Sequence, residues 1–164
     1  MTLAEWNLLA QKRLKKLLKA VAAEPALRRR IGVSAVGRGP RARLVADLEV
    51  VGAARMTRIN GETRRKRKPT DVLSFPAPGF FQRLGHLGEL IVCAPVCARQ
   101  AREQGHPVRD ELDVLLAHGV LHLLGFDHER GPRAALEMAR WERKLLSGGQ
   151  AGARSRDARG LIGR

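Results

Sequence analysis

The clearest periodic pattern in the chain lies at its N-terminal end and has the spacing of a helix. Apolar residues recur every three or four positions across residues 2–23, and lysines and arginines occupy the opposite face. Thr2 and Glu5 fit a capping box, in which the two side chains accept hydrogen bonds from backbone N–H groups of the first turn. We predict an amphipathic helix that covers the core and exposes its basic face. A basic amphipathic helix can also lie on a membrane surface, which is the second interpretation.

Beyond this helix, short β-type runs alternate with helical ones. The pattern predicts strands at 41–47, 72–75 and 89–93 and helices at 49–60, 95–104, 108–124 and 132–146, with a Gly-rich break at 32–40 and loops at 61–68 and 80–87. Strands separated by helices indicate one α/β or α+β domain over residues 1–146. We expect a small, mostly parallel or mixed sheet of about three to four strands with about five helices packed on it. Residues 147–164 are rich in Gly and Arg and are predicted to form a disordered basic tail.

The charge balance narrows the class of partner. The chain has 31 Lys and Arg against 16 Asp and Glu, a formal net charge of +15. Such an excess favours polyanions, with nucleic acid preferred over an acidic membrane surface. No apolar run approaches the ~20 residues that cross a bilayer, and the N-terminus has no secretory signal pattern, so we expect a cytoplasmic protein. Cys93 and Cys97 straddle a strand-to-helix break and are interpreted as a buried pair of small hydrophobic residues.

Three of the five histidines fall within one short segment and predict a metal site. His118 and His122 are four residues apart on a predicted helix, so their imidazoles lie on one face and can reach one ion. Gly125 ends the helix and lets the chain turn back, which brings His128 to the same ion. Three protein ligands leave a fourth position open, as in catalytic zinc sites. The alternative, unrelated core or surface histidines, explains neither the clustering nor the glycine. Imidazole ligands also suit nickel, copper and iron.

The spacing H-x3-H-x2-G-x2-H is also the zinc signature of metzincin proteases. Those enzymes carry a glutamate after the first histidine as the general base. Here that position is Gly119, which cannot transfer a proton. Peptide hydrolysis is therefore the weaker hypothesis for this site.

The same segment resembles the H-G-x-L-H-L-x-G-[YF]-D-H signature of the bacterial YbeY endoribonucleases, also called rRNA maturation factors. Residues 69–75 match that family's P-T-D-V-L-S-F block, and Ile59-Asn60 followed by Arg64 is similar to its L-N-x-x-Y-R stretch. Leu84-Gly85 and the run GELIV at 88–92 resemble its L-G-D-I-x-I block, with an insertion or a shifted glycine and Glu for Asp. The resemblance covers roughly residues 42–146.

The resemblance implies a zinc-dependent, single-strand-preferring endoribonuclease with one Zn²⁺ per chain. It implies a role in ribosomal RNA processing, notably maturation of the small-subunit 3′ end, and in late ribosome quality control. The ligands carried over are His118, His122 and His128, and Arg64 takes the place of the family's functionally important arginine. The implied partners are ribosomal RNA and the small ribosomal subunit, with a ribosomal protein or a GTPase assembly factor as further candidates.

The sequence also departs from the family pattern. Thr63 stands where the family usually has Tyr, which removes any stacking there, and Arg67 replaces a common Asp, which makes the loop more basic. The strand that often precedes the N-terminal helix is missing, so either the sheet has one strand fewer or the start lies further upstream.

These residues support a mechanistic hypothesis with open alternatives. We assign His118 and Arg64 to catalysis, Arg64 as a bidentate clamp on phosphate. RNA binding is assigned to the cation run, which consists of Arg64, Arg65, Lys66, Arg67 and Lys68. Asp127 is predicted to orient a ligand histidine. Asp127 and Glu89 are also candidates for the general base, and the RNA 2′-hydroxyl could itself be the nucleophile. The alternative functions are a zinc-containing, non-catalytic ribosome-assembly factor and a metzincin-like protease without its glutamate.

Overall fold

The computed structural model describes residues 1–32 and 43–147. Within these residues the chain forms a mixed α+β fold, as the sequence predicts. In chain order the elements are α1 (Leu3–Ala23), α2 (Pro25–Arg30), β1 (Val45–Val51), α3 (Ala53–Arg64), β2 (Val72–Pro76), α4 (Gly79–Arg83), β3 (His86–Cys93), α5 (Ala94–Glu103), α6 (Val108–Leu123), a 3-10 turn (His128–Arg130) and α7 (Pro132–Ser147).

The three described strands form a mixed sheet in the order β1-β3-β2. β1 runs parallel to β3, with Val50 opposite Val92, and β2 runs antiparallel to β3, with Val72 opposite the same residue. Gly88 is required where β2 and β3 meet, because its φ is +134° and an added Cβ would lie 2.2 Å from the carbonyl oxygen of Phe75. β2 is therefore held closely against β3 as an outer strand of the sheet.

Helices cover both faces of the sheet. Alternate residues of β3 point to opposite faces, so Leu90 and Val92 join the main core with α1 and α6. Ile91 and Cys93 point the other way and pack with Met56 of α3. Helix α6 therefore lies on one face and α3 on the other, and this separation governs the placement of the candidate functional residues.

The N-terminal helix begins as predicted. The Glu5 backbone N–H donates to the Thr2 hydroxyl at 3.2 Å, and the Thr2 N–H donates to the Glu5 carboxylate at 2.7 Å, which completes the capping box. The apolar stripe of α1 is buried in the main core at Trp6, Ala10 and Leu14, among others. The core-covering interpretation of this helix is confirmed.

Several predicted boundaries are wrong. The first strand was expected at 41–47 and the next helix at 49–60, but β1 runs to Val51 and α3 begins after Gly52. Val50 and Val51 are buried within the sheet. Packing therefore extends the strand through residues that the spacing of apolar positions had predicted to be helical. The predicted loop at 80–87 contains α4 and the start of β3, and α2 was not predicted. These two short helices bring the described total to seven.

Two sequence predictions lie wholly or mostly outside the described residues. Of the Gly-rich break at 32–40, only Gly32 is among the described residues, and of the basic tail at 147–164, only Ser147 is. No helix of the described residues is long and apolar enough to cross a membrane.

Candidate metal centre

Helix α6 and the turn that follows it bring the three predicted histidines together. The rings of His118 and His122, one helical turn apart, meet edge to face with their centroids 4.6 Å from each other, and their Nε2 atoms are 3.0 Å apart. The ring of His128 is centred 5.3 Å from each of the other two. One nitrogen from each histidine lies within 4.8 Å of the others, and the described residues hold no other such group of potential ligands.

The turn that returns His128 has a defined backbone structure. Gly125 adopts a φ of +81°, the Gly125 N–H donates to His122 O, and the Phe126 N–H donates to Leu121 O. This pair of hydrogen bonds is the Schellman motif that ends many helices, and its left-handed residue favours glycine. The predicted role of Gly125 as the residue of the return turn is confirmed.

The electrostatics of the cluster suit a cation. Burial, together with the neighbouring His118 and His128, lowers the pKa of His122 to about 4. At neutral pH the His122 imidazole is therefore uncharged and keeps a lone pair for coordination. Three converging imidazole nitrogens form a donor set that fits zinc, and nickel, copper or iron as well.

A buried glutamate completes the surroundings of His118 and was missed from the sequence. Glu142 of α7 is only 3% exposed, and its Oε1 accepts a hydrogen bond from His118 Nδ1 at 2.7 Å. The available signal was its spacing, because Glu142 shares the buried face of α7 with Met138 and Leu145. A carboxylate in an otherwise apolar stripe indicates a buried polar partner.

Asp127, which the sequence suggested as the orienting carboxylate, has different contacts. Its carboxylate accepts hydrogen bonds from the Glu129 backbone N–H at 3.0 Å and from Arg130 Nε at 3.2 Å. The hydrogen bond from Glu129 is the main cause of a lowered Asp127 pKa. Asp127 therefore shapes the 3-10 turn that carries His128, and the carboxylate bound to a ligand histidine is that of Glu142.

The structure also explains why residue 119 is glycine. Position 119 faces the sheet, and an added Cβ would lie 2.8 Å from Leu90 Cδ2 and 3.2 Å from Ser74 Oγ. A glutamate there would be forced into the core and could not act as the base of a metzincin protease. Packing at residue 119, as well as its chemistry, therefore disfavours a protease.

The cation run follows the end of α3, the helix that packs on the other face of the sheet from α6. Arg64 is the last residue of α3, and Arg65 follows in a left-handed conformation with φ +58°. Asn60 is buried and its Nδ2 donates to Lys68 O, which ties the run back to the helix. All five cations are exposed. Among the described residues no hydrogen bond joins Arg64 to the histidines, so its contact with phosphate stays a prediction.

The remaining candidates lie apart from the cluster. Glu89 neighbours Leu90 on β3, and since Leu90 points at α6, the Glu89 side chain lies on the opposite face. His86 pairs with Asp47 at the surface, and His106 is half-buried and pairs with the buried Glu111. Cys93 and Cys97 are both buried free thiols, as predicted.

With this geometry in place, similarity to known proteins decides the family. Residues 7–149 match the family model described as Endoribonuclease YbeY. The chain belongs to the YbeY family. A YbeY endoribonuclease from Alkalilimnicola ehrlichii is 42% identical over 128 residues, which cover 76% of each chain. One from Halorhodospira halophila is 48% identical over 93 residues, covering 54% of this chain and 60% of that one.

A solved structure agrees with the YbeY assignment at the level of the fold. The solution structure of a protein from Thermotoga maritima matches with a TM-score of 0.55 and 26% identity, and the match covers 84% of this chain and 79% of that one. Membership of the family makes this chain a nuclease, a hydrolase of RNA phosphodiester bonds. The histidine cluster is the part of the described structure that could supply a metal to that chemistry.

Proposed function

We propose that this chain is a zinc-dependent, single-strand-preferring endoribonuclease. Its proposed roles are ribosomal RNA processing, in particular maturation of the small-subunit 3′ end, and late ribosome quality control. The observation that carries the proposal is the convergence of three imidazole nitrogens within 4.8 Å in a chain of an endoribonuclease family. The supporting observation is the net charge of +15, which favours a polyanionic substrate.

The metal would be held by His118, His122 and His128. A zinc ion bound there would supply Lewis-acid chemistry and lower the pKa of a water ligand toward ~7. Neutral His122 keeps its lone pair for the ion, because burial and the two neighbouring histidines hold its pKa at about 4. Gly125 and the Schellman turn keep His128 beside the other two ligands.

Arg64 and the rest of the cation run would hold the substrate. A guanidinium can clamp a phosphate through two hydrogen bonds and stabilise charge that develops on it. Exposed Arg65, Lys66, Arg67 and Lys68 would bind the RNA backbone. Phosphate contacts position a strand without reading its sequence. Specificity for a cleavage site would therefore come from RNA structure or from a partner, such as a ribosomal protein or a GTPase assembly factor.

The contacts of the two carboxylates considered for the general base argue against that role for either one. Glu89 lies on the sheet face away from α6, and Asp127 is engaged by Glu129 and Arg130. The candidate nucleophiles are a water molecule, which zinc held by the three histidines would activate, and the RNA 2′-hydroxyl. A substrate with a 2′-deoxy sugar at the cleavage site separates them, since cleavage at an undiminished rate excludes the internal nucleophile.

The deciding experiment joins metal analysis to RNA cleavage. The purified protein is assayed for bound metal and for cleavage of a structured rRNA fragment, alongside His118→Ala and Arg64→Ala. We expect about one zinc per chain, loss of zinc and cleavage in His118→Ala, and loss of cleavage with zinc retained in Arg64→Ala. Casein in a parallel reaction tests the protease alternative.

The same experiment tests the non-catalytic alternative. If the folded wild type binds ribosomal subunits but cleaves no RNA with zinc, nickel, copper or iron, the enzyme proposal is wrong. The chain would then be a zinc-containing assembly factor. Fractionation of cells, with the protein followed across cytosolic and ribosomal fractions, tests the proposed cytoplasmic location and the association with the small subunit.

A further inference from the structure

Glu142 is the carboxylate that lies deepest beside the histidine cluster. Its side chain is 3% exposed and that of His118 is similarly covered, so the hydrogen bond between them is shielded from water. A carboxylate has no proton to donate when ionised, and burying it without a partner is costly. The 2.7 Å contact is the geometry of a hydrogen bond from His118 Nδ1 to the Glu142 carboxylate.

This contact separates the roles of the two nitrogens of His118. Nδ1 is occupied by Glu142, and Nε2 lies 3.0 Å from His122 Nε2, inside the cluster. A hydrogen fixed on Nδ1 leaves the lone pair of Nε2 directed at the position that an ion would occupy. A carboxylate in this relation also makes the imidazole a more basic ligand and fixes the plane of its ring.

Glu142 also belongs to the interface between α7 and α6. It lies on the buried face of α7 between Met138 and Leu145, both of which pack into the main core. The bond to His118 is thus a buried polar tie between the two helices.

We propose that Glu142 is a positioning residue for the metal centre, and that it couples metal binding at His118 to the docking of α7 on α6. The inference rests on the proposed metal site and adds a residue that acts through a ligand without touching the ion. It predicts that α7 becomes more ordered when a metal ion is bound by the histidine cluster.

The test is zinc affinity, measured by competition with a chromophoric chelator, for wild type, Glu142→Gln and Glu142→Asp. Glu142→Gln keeps the size of the side chain and removes the charge, so we expect zinc affinity to fall about 10–100-fold. Glu142→Asp keeps the charge and should recover part of that loss. Glu103→Gln, a change at an exposed glutamate of α5, is the matched control and should bind zinc as the wild type does.

The second readout is amide hydrogen exchange across α7, with and without zinc. In the wild type, zinc should slow exchange of α7 amides, and in Glu142→Gln this protection should be smaller at zinc saturation. Far-UV circular dichroism of the metal-free variants shows that the comparison is between folded proteins. Should Glu142→Gln fail to fold, the exchange measurement on wild type and on Glu142→Asp still decides the coupling.

The outcomes separate this inference from the proposed function. The role of Glu142 is overturned if Glu142→Gln binds zinc with wild-type affinity, or if zinc does not change the exchange rate of α7 amides. Either result leaves the nuclease proposal intact. Zinc binding that depends on Glu142 in a protein that cleaves no RNA supports the inference and rejects the nuclease mechanism. A wild type that binds no metal rejects both.

Discussion

The guanidinium of Arg30 lies 3.8 Å above the ring of Phe126, in the turn between two of the metal-site histidines. The same guanidinium donates to Gly125 O at 3.3 Å and lies 3.5 Å from the Glu137 carboxylate. Helix α2, which the sequence did not predict, thus supplies a side chain that holds the outside of the metal-site turn.

We expect Arg30→Ala to loosen that turn. A cation over an aromatic ring at a partly exposed site contributes about 0.5–1 kcal/mol, and the Arg30 side chain is 37% exposed. The free energy of unfolding of the metal-free protein should fall by about that amount, and zinc affinity should fall a few-fold. Chemical denaturation and chelator competition measure the two effects. Arg29→Ala, at the exposed neighbour, is the control, and equal effects in both variants would contradict the role of Arg30.

Gly119→Ala should destabilise the fold, against the usual helix preference. In an open helix, alanine in place of glycine stabilises by about 1 kcal/mol. Here the added methyl would meet Leu90 Cδ2 at 2.8 Å, and overpacking of a core costs about 1–3 kcal/mol. Urea denaturation measures the change.

Gly61→Ala in α3 is the matched control for that prediction. An added Cβ at Gly61 would meet only Arg67 Cγ, at an ordinary 3.7 Å, so this variant should be as stable as the wild type or more so. A stabilised Gly119→Ala would show that α6 and the sheet can move apart at this point.

The metal-free protein should lose stability as the pH falls from about 6.5 to about 4. The pKa of His122 is about 4 in the fold, below its ordinary value of 6.5. Between these values the unfolded chain binds a proton at His122 that the folded chain does not, so acid favours unfolding. The stabilising contribution is complete above pH 6.5 and is lost on the way down to about pH 4.

Denaturation midpoints at several pH values check this slope. His122→Gln should show a shallower dependence over the same range, because the group that titrates differently in the two states is gone. Asp127, whose pKa is lowered from its ordinary 3.8, acts below this window and does not confuse the comparison. Identical slopes for the two proteins would mean that His122 remains protonatable in the fold.

Lys66→Ala should weaken RNA binding without affecting the metal. Lys66 is an exposed member of the cation run, and each phosphate contact contributes about 0.7–0.9 to the slope of log affinity against log salt. We expect a salt dependence shallower by roughly that amount, with equal loss across RNA sequences. Binding titrations at several salt concentrations measure it. An unchanged slope would place the RNA path elsewhere on the surface.

The histidine cluster was predictable because its geometry is local. The spacing of His118 and His122 follows the helix period, and Gly125 marks the turn that returns His128. All three histidines fall within eleven residues, so no long-range contact had to be foreseen. The positions of Thr2 and Glu5 revealed the start of α1 for the same reason.

What the sequence concealed depends on tertiary contacts. Glu142 is 24 residues from His118 along the chain, and only the packing of α7 on α6 brings them together. The end of β1 was misplaced because burial of Val50 and Val51 in the sheet outweighed a helical spacing that continued through them. The face of the sheet that α3 covers could not be predicted from a linear motif.

Ten of the 16 residues of α6 are buried, including His118 and its neighbours on both sides. Two of the three clustered histidines, His118 and His122, therefore belong to the most buried helix of the described fold. The cations proposed to bind RNA lie on a segment exposed to solvent. Substitutions in the exposed basic segment can therefore accumulate without disturbing the histidine cluster. Divergence in substrate choice among relatives should accordingly be concentrated in the outer basic segment, with the reactive centre inherited almost unchanged.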